Sequence, residues 1–369
     1  MSSPSLSAAN NDFTKDVYQH LAGNTSHSAI ISPLSLHMVL GLSSLGAAGS
    51  TADAMMKGLR IKHADTLLKN YKDIIGQLSK SDELKMANTI YFAQDVKLNP
   101  SYKSQAAKYF NSELSKTDFN NPKVAAEQMN DWVSSQTNGK IKDLIESESL
   151  NPETKIVLVN AIHFKGKWTF PFRTEYTNYA PFYLDETNSG AESGDDGFQM
   201  LELPYAGTKE KQQFSMHIFL PNNRTGLATL EQKLFQSDDS FADKFGNICN
   251  GANWREVVVT LPRFEVKSTW DMSDLCEQLG MGVAFTDDAD FSLMTQDKIN
   301  LAISQVVQKA FIEVNEEGTE AAAAIDGIIK RRCSARRSPI YFTADHPFIV
   351  TISTTNDRDI LFIAKLANL

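Results

Sequence analysis

The sequence predicts an α+β fold. Helix-period segments fill the first 140 residues, short strand-forming segments dominate from about residue 156, and the two kinds do not alternate in a βαβ rhythm. At 369 residues the chain has room for two domains, but no internal repeat or linker divides it. Residues 1–369 are therefore read as one domain.

The helical half begins with SPLSLHMVLGLSSLGAAG (32–49), where a serine and a proline open a helix expected to end on Gly49. TADAMMKGL follows, then HADTLLKNYKDIIGQL with apolar residues three to four apart. LKMANTIYFAQD is richer in strand formers, and PSYKSQAAKYF returns to helix. VAAEQMNDWVSSQTNGKIKDLI is amphipathic up to Asn138-Gly139, a turn pair that ends it. From there the character changes. KIVLVNAIHFKGKW is apolar and β-branched, and the aromatic-rich FPFRTEYTNYAPFYL follows. ETNSGAESGDDG (186–197) is an acidic, small-residue loop. FQMLELPYAG, QFSMHIFLPNN, WREVVVTLPRFEV, PFIVTIST and ILFIAKLANL then read as short strands between turns.

Composition excludes several classes. The chain is 42% hydrophobic and 22% charged, ordinary for a soluble globular protein. A net charge of −9 repels phosphate, which argues against nucleic-acid and membrane-surface binding. No apolar run is long enough to span a bilayer. MSSPSLSAANNDFTKDVYQHL has neither a basic start nor an apolar h-region, so a cytoplasmic location, with non-classical release as the other route, is expected. Cys249, Cys276 and Cys333 are too few and too scattered for a disulfide framework or a metal site. The sequons at Asn24 and Asn223 carry little weight without a signal peptide.

No enzyme is visible either. Seven histidines form no HExxH or paired metal spacing, and His163 in NAIHFKG reads as a structural strand residue. GxSxG, GxGxxG and GxxxxGK[ST] are all missing. Asp287-Asp288 sits among turn residues. Cys333 lies beside Arg332 and near Arg336, a setting that lowers a thiol pKa, but no base stands next to it. The expectation is a non-enzyme without metal or cofactor.

One stretch resists a single secondary structure: NEEGTEAAAAIDGIIKRRCSARRSPIYF, residues 315–342. Read at strand period over 319–330, Thr319, Ala321, Ala323, Ile325, Gly327 and Ile329 share an uncharged face. Glu320, Asp326 and Lys330 fall on the other. Gly318 supplies a permissive backbone just before it. A surface helix of alanines with a basic flank fits the same residues, and periodicity leaves both open. The arginines of KRRCSARRS are the residues that trypsin-like proteases cut, because their specificity pocket holds a buried carboxylate. A nuclear-localisation or polyanion patch is the rival reading.

Hinge, latent strand and bait together resemble the serpin family. NEEGTEAAAA is similar to its hinge, and DHPFIV with ILFIAKLANL is similar to its C-terminal signature. ISPLSLHMVLGLSSLGAAGSTADAM, WVSSQTNGKIKDLI, NAIHFKGKW, LELPYAG and LGMGVAFTDDADFSLM resemble further family blocks, in family order from about residue 10 to 369. The resemblance implies the serpin fold, with three β-sheets, eight or nine helices and an exposed reactive loop at about 316–341. It also implies suicide inhibition: a serine protease cleaves the loop, forms an acyl-enzyme and is carried to the far pole as the loop inserts into the main sheet.

Residue by residue, Glu316, Glu317, Gly318, Thr319 and Glu320 fall in the hinge. Ala321, Ala322, Ala323 and Ala324 match the small-residue run that inhibitory members carry. The family spacing of fourteen residues from the hinge glycine places the bait bond at Arg332–Cys333, with Arg331, Arg336 and Arg337 as rivals. Ser32, Ser35 and Asn160 match the shutter beneath the sheet, and Trp168 matches the breach where insertion begins. Gln308 stands where the family often has a histidine, and the stretch between Phe182 and Leu201 is short by roughly a dozen residues. The family's paired-methionine strand and the strand after it are thus expected to be missing or rebuilt. The implied partner is a trypsin-like serine protease in covalent complex with a monomer; a non-inhibitory binding or chaperone-like module is the alternative. Lys57, Arg60, Lys62, His63, Lys69 and Lys72 lie where some members bind heparin, but Asp65 and Asp73 dilute the patch to a weak response.

Overall fold

The computed structural model describes residues 6–61, 64–184, 197–207, 213–236, 239–252, 255–297, 299, 301–318 and 340–369, with the side chains of 64–67 left aside. Three sheets organise them. The first has five strands in the order β3-β2-β4-β9-β8, formed by β2 (Leu84–Ala93), β3 (Ser115–Thr117), β4 (Ile156–Phe164), β8 (Phe264–Asp271) and β9 (Gln305–Val314). The second runs β1-β12-β11-β6-β5, with β1 (Ala29–Ile31), β5 (Phe198–Pro204), β6 (Phe214–Pro221), β11 (Phe348–Thr354) and β12 (Ile360–Leu366). The third pairs β7 (Val257–Thr260) with β10 (Ile340–Thr343). The helices α1 (Leu6–His20), α2 (Pro33–Ser44), α3 (Gly49–Gly58), α4 (Ala64–Leu78), α5 (Pro100–Phe110), α6 (Pro122–Gln136), α7 (Leu227–Phe235), α8 (Phe241–Asn250) and α9 (Ser273–Cys276) complete the described α+β architecture.

Every residue of α2 is buried, as expected of a helix apolar on all sides that packs against both large sheets. Pro33 at its first turn suits the free N–H positions there. The helix stops at Ser44; Gly49 opens α3 instead of closing α2, so the single helix expected over 32–49 is in fact shorter and the next begins at its end. Gly41 is required by a close approach, since a Cβ there would lie 2.4 Å from the Tyr71 hydroxyl. α6 ends at the expected place: Asn138 and Gly139 both take positive φ and turn the chain out of the helix.

β4 is buried along its whole length, which is the signature of a central strand covered on both faces. Its two partners differ in direction. β2 is antiparallel to β4, whereas β4 and β9 run parallel over eight residue pairs from Val157↔Gln305 to Phe164↔Ile312. The strap between α6 and β4 is tied across this parallel seam. Lys309 of β9 donates to the carbonyls of Lys142 (2.6 Å) and Asp143 (3.2 Å), and Ser149 donates to the Gln305 side chain (3.2 Å). Asn130 of α6 accepts from the amides of Leu144 and Ile145 and donates to the Ile145 carbonyl.

Two further expectations need correction. The aromatic-rich segment after Trp168 forms no strand among its described residues, only a 3₁₀ turn at Thr174–Tyr176, and Phe170, Tyr176 and Tyr179 are exposed. α7 and α8 lie within the half read as strands; their apolar residues Leu230, Leu234, Phe241 and Phe245 are buried at helical spacing. Most of the shortened region, residues 185–196, lies outside the described residues; among the described residues β5 stands at one end of its sheet and the third sheet has two strands.

Acid is expected to weaken this fold. Burial lowers the pKa of His37 to about 4, although Nε2 bonds the Leu59 carbonyl (2.9 Å) and Nδ1 meets the Tyr71 hydroxyl (2.7 Å). Burial lowers His217 to about 4 as well. Between the ordinary value of 6.5 and about 4, the unfolded chain binds protons that the folded one refuses, so stability falls as pH falls through that window. Asp359 acts oppositely, because burial raises its carboxyl to about 6 and the folded state takes up that proton first. Two rings against one carboxyl leave a net loss of about 2 kcal/mol between roughly pH 7 and pH 5. Urea midpoints measured at both values check this, and equal midpoints would refute it.

Candidate functional site: a pinned parallel seam and a clamped turn at its end

Midway along the seam, five polar side chains meet in an apolar surround. Asn160 of β4 lies directly opposite Gln308 of β9 in register. The Gln308 amide donates to Asn160 Oδ1 (2.6 Å) and to the Ser32 carbonyl (2.8 Å), and its Oε1 accepts from the Ser32 amide (2.9 Å). Asn160 Nδ2 donates to Ser35 Oγ (2.6 Å) and to Asn88 Oδ1 (2.5 Å). Ser35 Oγ donates to Asn88 Oδ1 (2.9 Å), and Ser32 Oγ donates to the Leu361 carbonyl (2.6 Å). Ser32, Ser35, Asn160 and Gln308 are all fully buried. The network thus spans β2, β4, β9, β12 and the start of α2, and each Gln308 polar atom has a partner.

At the C-terminal end of β9 the chain makes a tight turn. Asn315 N–H donates to the Gly318 carbonyl (2.8 Å), and Gly318 N–H donates back to the Asn315 carbonyl (3.3 Å). The segment after β4 holds the turn. Trp168 N–H donates to the Glu317 carbonyl (2.9 Å), and its indole Nε1 donates to the Asn315 carbonyl (3.0 Å). Phe172 N–H donates to the Glu316 carbonyl (2.7 Å). The Trp168 ring is stacked on Tyr205 at 4.4 Å, which fixes its orientation. Gly318 has φ of +132° and bridges Lys167; a Cβ there would lie 2.1 Å from the Gly166 carbonyl oxygen. Only glycine fits.

The Glu316 carboxylate is gripped by Arg263, whose Nε donates at 2.7 Å and whose Nη2 completes the ion pair, and by the Thr177 hydroxyl. Burial pushes this carboxyl up, but hydrogen bonds from Arg263 and Thr177 and the arginine charge outweigh that and hold it below the usual range. Glu316→Lys replaces this grip with two like charges. The expected result is a loss of about 2 kcal/mol, reduced from the value for a fully buried pair because the Arg263 side chain is 61% exposed. Thermal unfolding of the variant checks the loss, and Arg263→Glu in the same chain should recover part of it. An unchanged midpoint would show that the grip is idle.

The structure therefore gathers the expected site residues into two groups. Ser32, Ser35, Asn160 and Gln308 form the first; Glu316, Glu317, Gly318 and Trp168 form the second, and β4 and β9 connect the two. Thr319, Glu320, Ala321, Ala322, Ala323, Ala324, Arg331, Arg332, Cys333, Arg336 and Arg337 lie outside the described residues. Asn88, Thr177 and Arg263 complete these groups and were not foreseen. Asn88 had a readable signal, a polar residue within the apolar strand LKMANTIYFA. Arg263 and Thr177 had none, since their partner lies far away in sequence. His163 is a buried strand residue packed on Phe311 at 5.3 Å, as expected. Arg60, from the basic cluster, is engaged by Asp16 at 2.6 Å. No described helix is long and apolar enough to cross a membrane.

Comparison with known proteins agrees with this architecture. The family model Serpin (serine protease inhibitor) matches residues 8–369. Human Serpin B9 is 32% identical, with 94% of each chain covered. The leukocyte elastase inhibitor of Sus scrofa is 34% identical, covering 98% of this chain and 99% of the relative. The crystal structure of Serpin48 from the insect Tenebrio molitor superposes with a TM-score of 0.83 at 30% identity, covering 99% of this chain and 98% of that one. With the family match running almost end to end and a three-sheet architecture to go with it, the chain belongs to the serpin family.

Proposed function

We propose that this serpin is a suicide inhibitor of trypsin-like serine proteases, with Arg332–Cys333 as the bait bond and the chain after Gly318 as the inserting strand. The observation that carries this reading is the parallel seam between β4 and β9, with the turn at 315–318 leading out of β9 at the seam's end. A chain that turns back at Gly318 and enters the seam runs antiparallel to both neighbours. One parallel ladder then becomes two antiparallel ones, which adds a full set of backbone hydrogen bonds in the better geometry. Thr319, Ala321 and Ala323 are small enough to slide beneath the strap that Lys309 and Asn130 tie down.

In this mechanism the protease serine attacks the Arg332 carbonyl, and an ester forms as the Arg332–Cys333 amide breaks and Cys333 leaves with a new amino terminus. Cleavage frees the loop, and insertion drags the esterified protease along before water can attack the ester. Positioning, not catalysis by this chain, stops the reaction halfway.

Incubation with trypsin tests the reading. The expected result is a covalent band on a denaturing gel, with mass spectrometry locating the ester on Arg332. Loop-cleaved protein should also unfold at a markedly higher temperature than the intact chain, because the seam has gained a strand. Cleavage with neither a covalent band nor a gain in thermal stability would leave a non-inhibitory binding module.

A further inference from the structure

The five-stranded sheet that carries β5 has one face turned to the helices, and that face is polar where an apolar one would be expected. Aligned by register, Glu202 (β5), His217 (β6) and Thr351 (β11) form one cross-strand row, and Pro204, Ser215 and Ser353 form the next. Paired residues share a face, and residues two apart on a strand share it too, so these side chains are near neighbours. His217 is packed edge-on against Phe245 of α8 at 5.3 Å, which places the face under the helices. α1 covers the next part. Asn10 donates from Nδ2 to the Ile360 carbonyl (3.1 Å), and Ile360 lies opposite Ser353 in register.

Four atoms in this patch have no hydrogen-bond partner among the described residues: His217 Nδ1, Thr351 Oγ1, Ser353 Oγ and Asn10 Oδ1. Their residues are at most 2% exposed. A single orphan of this kind costs stability, and valine or alanine would fill Thr351 or Ser353 without one. Four together, on adjacent strands and on the helix above them, supply both donors and acceptors, which is what a small hydrogen-bonding guest needs.

We infer that this patch is a buried hydration site, in which ordered water is bound by Thr351, Ser353, His217 and Asn10. A neutral guest fits better than an ion. Burial lowers the pKa of the His217 imidazole to about 4, so it is uncharged at neutral pH, and the two hydroxyls and the amide oxygen carry no formal charge. The charged neighbours oppose each other, Glu202 at 3.9 Å from His217 Nε2 favouring a proton on the ring and Arg358 disfavouring it. The outer edge of β5 provides the approach. Among the described residues no strand pairs with it, and the Glu202 side chain beside His217 is 29% exposed. The inference is independent of protease inhibition.

The test is a crystal structure of the intact chain that resolves solvent, together with urea unfolding of Thr351→Val and Ser353→Ala. Bound water predicts density within hydrogen-bond reach of Thr351 Oγ1 and Ser353 Oγ. It also predicts that each variant raises the unfolding equilibrium constant, by about fivefold, since each removes a hydrogen bond that is made. A dry patch predicts the opposite sign, because each variant then deletes an orphan hydroxyl. Lack of density at both oxygens, or stabilisation by either variant, overturns the inference.

Discussion

Arg332→Ala is expected to slow formation of the covalent complex with trypsin by about 1,000-fold while leaving the thermal midpoint of the intact chain unchanged. A trypsin-like specificity pocket ends in a buried carboxylate, and an alanine leaves that charge unpaired and the pocket unfilled. Such a loss falls on the attack step, so the few molecules that react should still be trapped. Lys330, Arg331, Arg336 and Arg337 make the experiment informative, because each can be cut by trypsin. A cut at Arg336 or Arg337 lengthens the strand that must enter the seam before the protease is pulled taut. Hydrolysis then has time to finish, and these sites should yield cleaved chain instead of complex. If complex forms at the original rate in Arg332→Ala, the bait lies elsewhere in the basic run.

Gln308→Ala is expected to be the most damaging substitution at the seam, at about 4 kcal/mol. Three hydrogen bonds disappear, and the amide of Ser32, its carbonyl and Asn160 Oδ1 are left buried with fewer partners. The truncated side chain also leaves a void between β9 and α2, which adds a packing loss. Both residues facing the void are fully buried, so water does not readily replace the bonds. Equilibrium unfolding in urea measures the difference. A loss under about 1 kcal/mol would mean that Ser32 and Asn160 find other partners and that Gln308 is not the pin of the network.

Local pattern carried the reading of the fold where one face or both faces of an element are apolar. Full-length burial in β4 and helical spacing in α6 are legible because the period is printed in the residues themselves. The segment after Trp168 misled because aromatic residues favour strands only when a neighbouring strand or core accepts them, and Phe170 and Tyr179 stand in solvent. α7 and α8 escaped notice because each is short and flanked by strand-like runs. For the site, Glu316 could be named from its hinge motif, but its grip could not. Arg263 and Thr177 reach it through the folded chain, and the carboxylate–guanidinium contact leaves no local trace. Gln308 stood out only as a departure from a family habit; its value became clear once all its polar atoms were seen to be engaged.

A seam fastened by a carboxamide keeps the same fastening in an acidified vesicle as at neutral pH, because Gln308 and Asn160 have no proton to gain there. Acidification reaches the molecule through Asp359 and through two buried rings instead, His37 bonded to Leu59 and Tyr71 and His217 packed against Phe245. Two liabilities are thereby separated. Low pH acts on the fold as a whole, whereas the carboxamide network at mid-seam has no group that titrates with it.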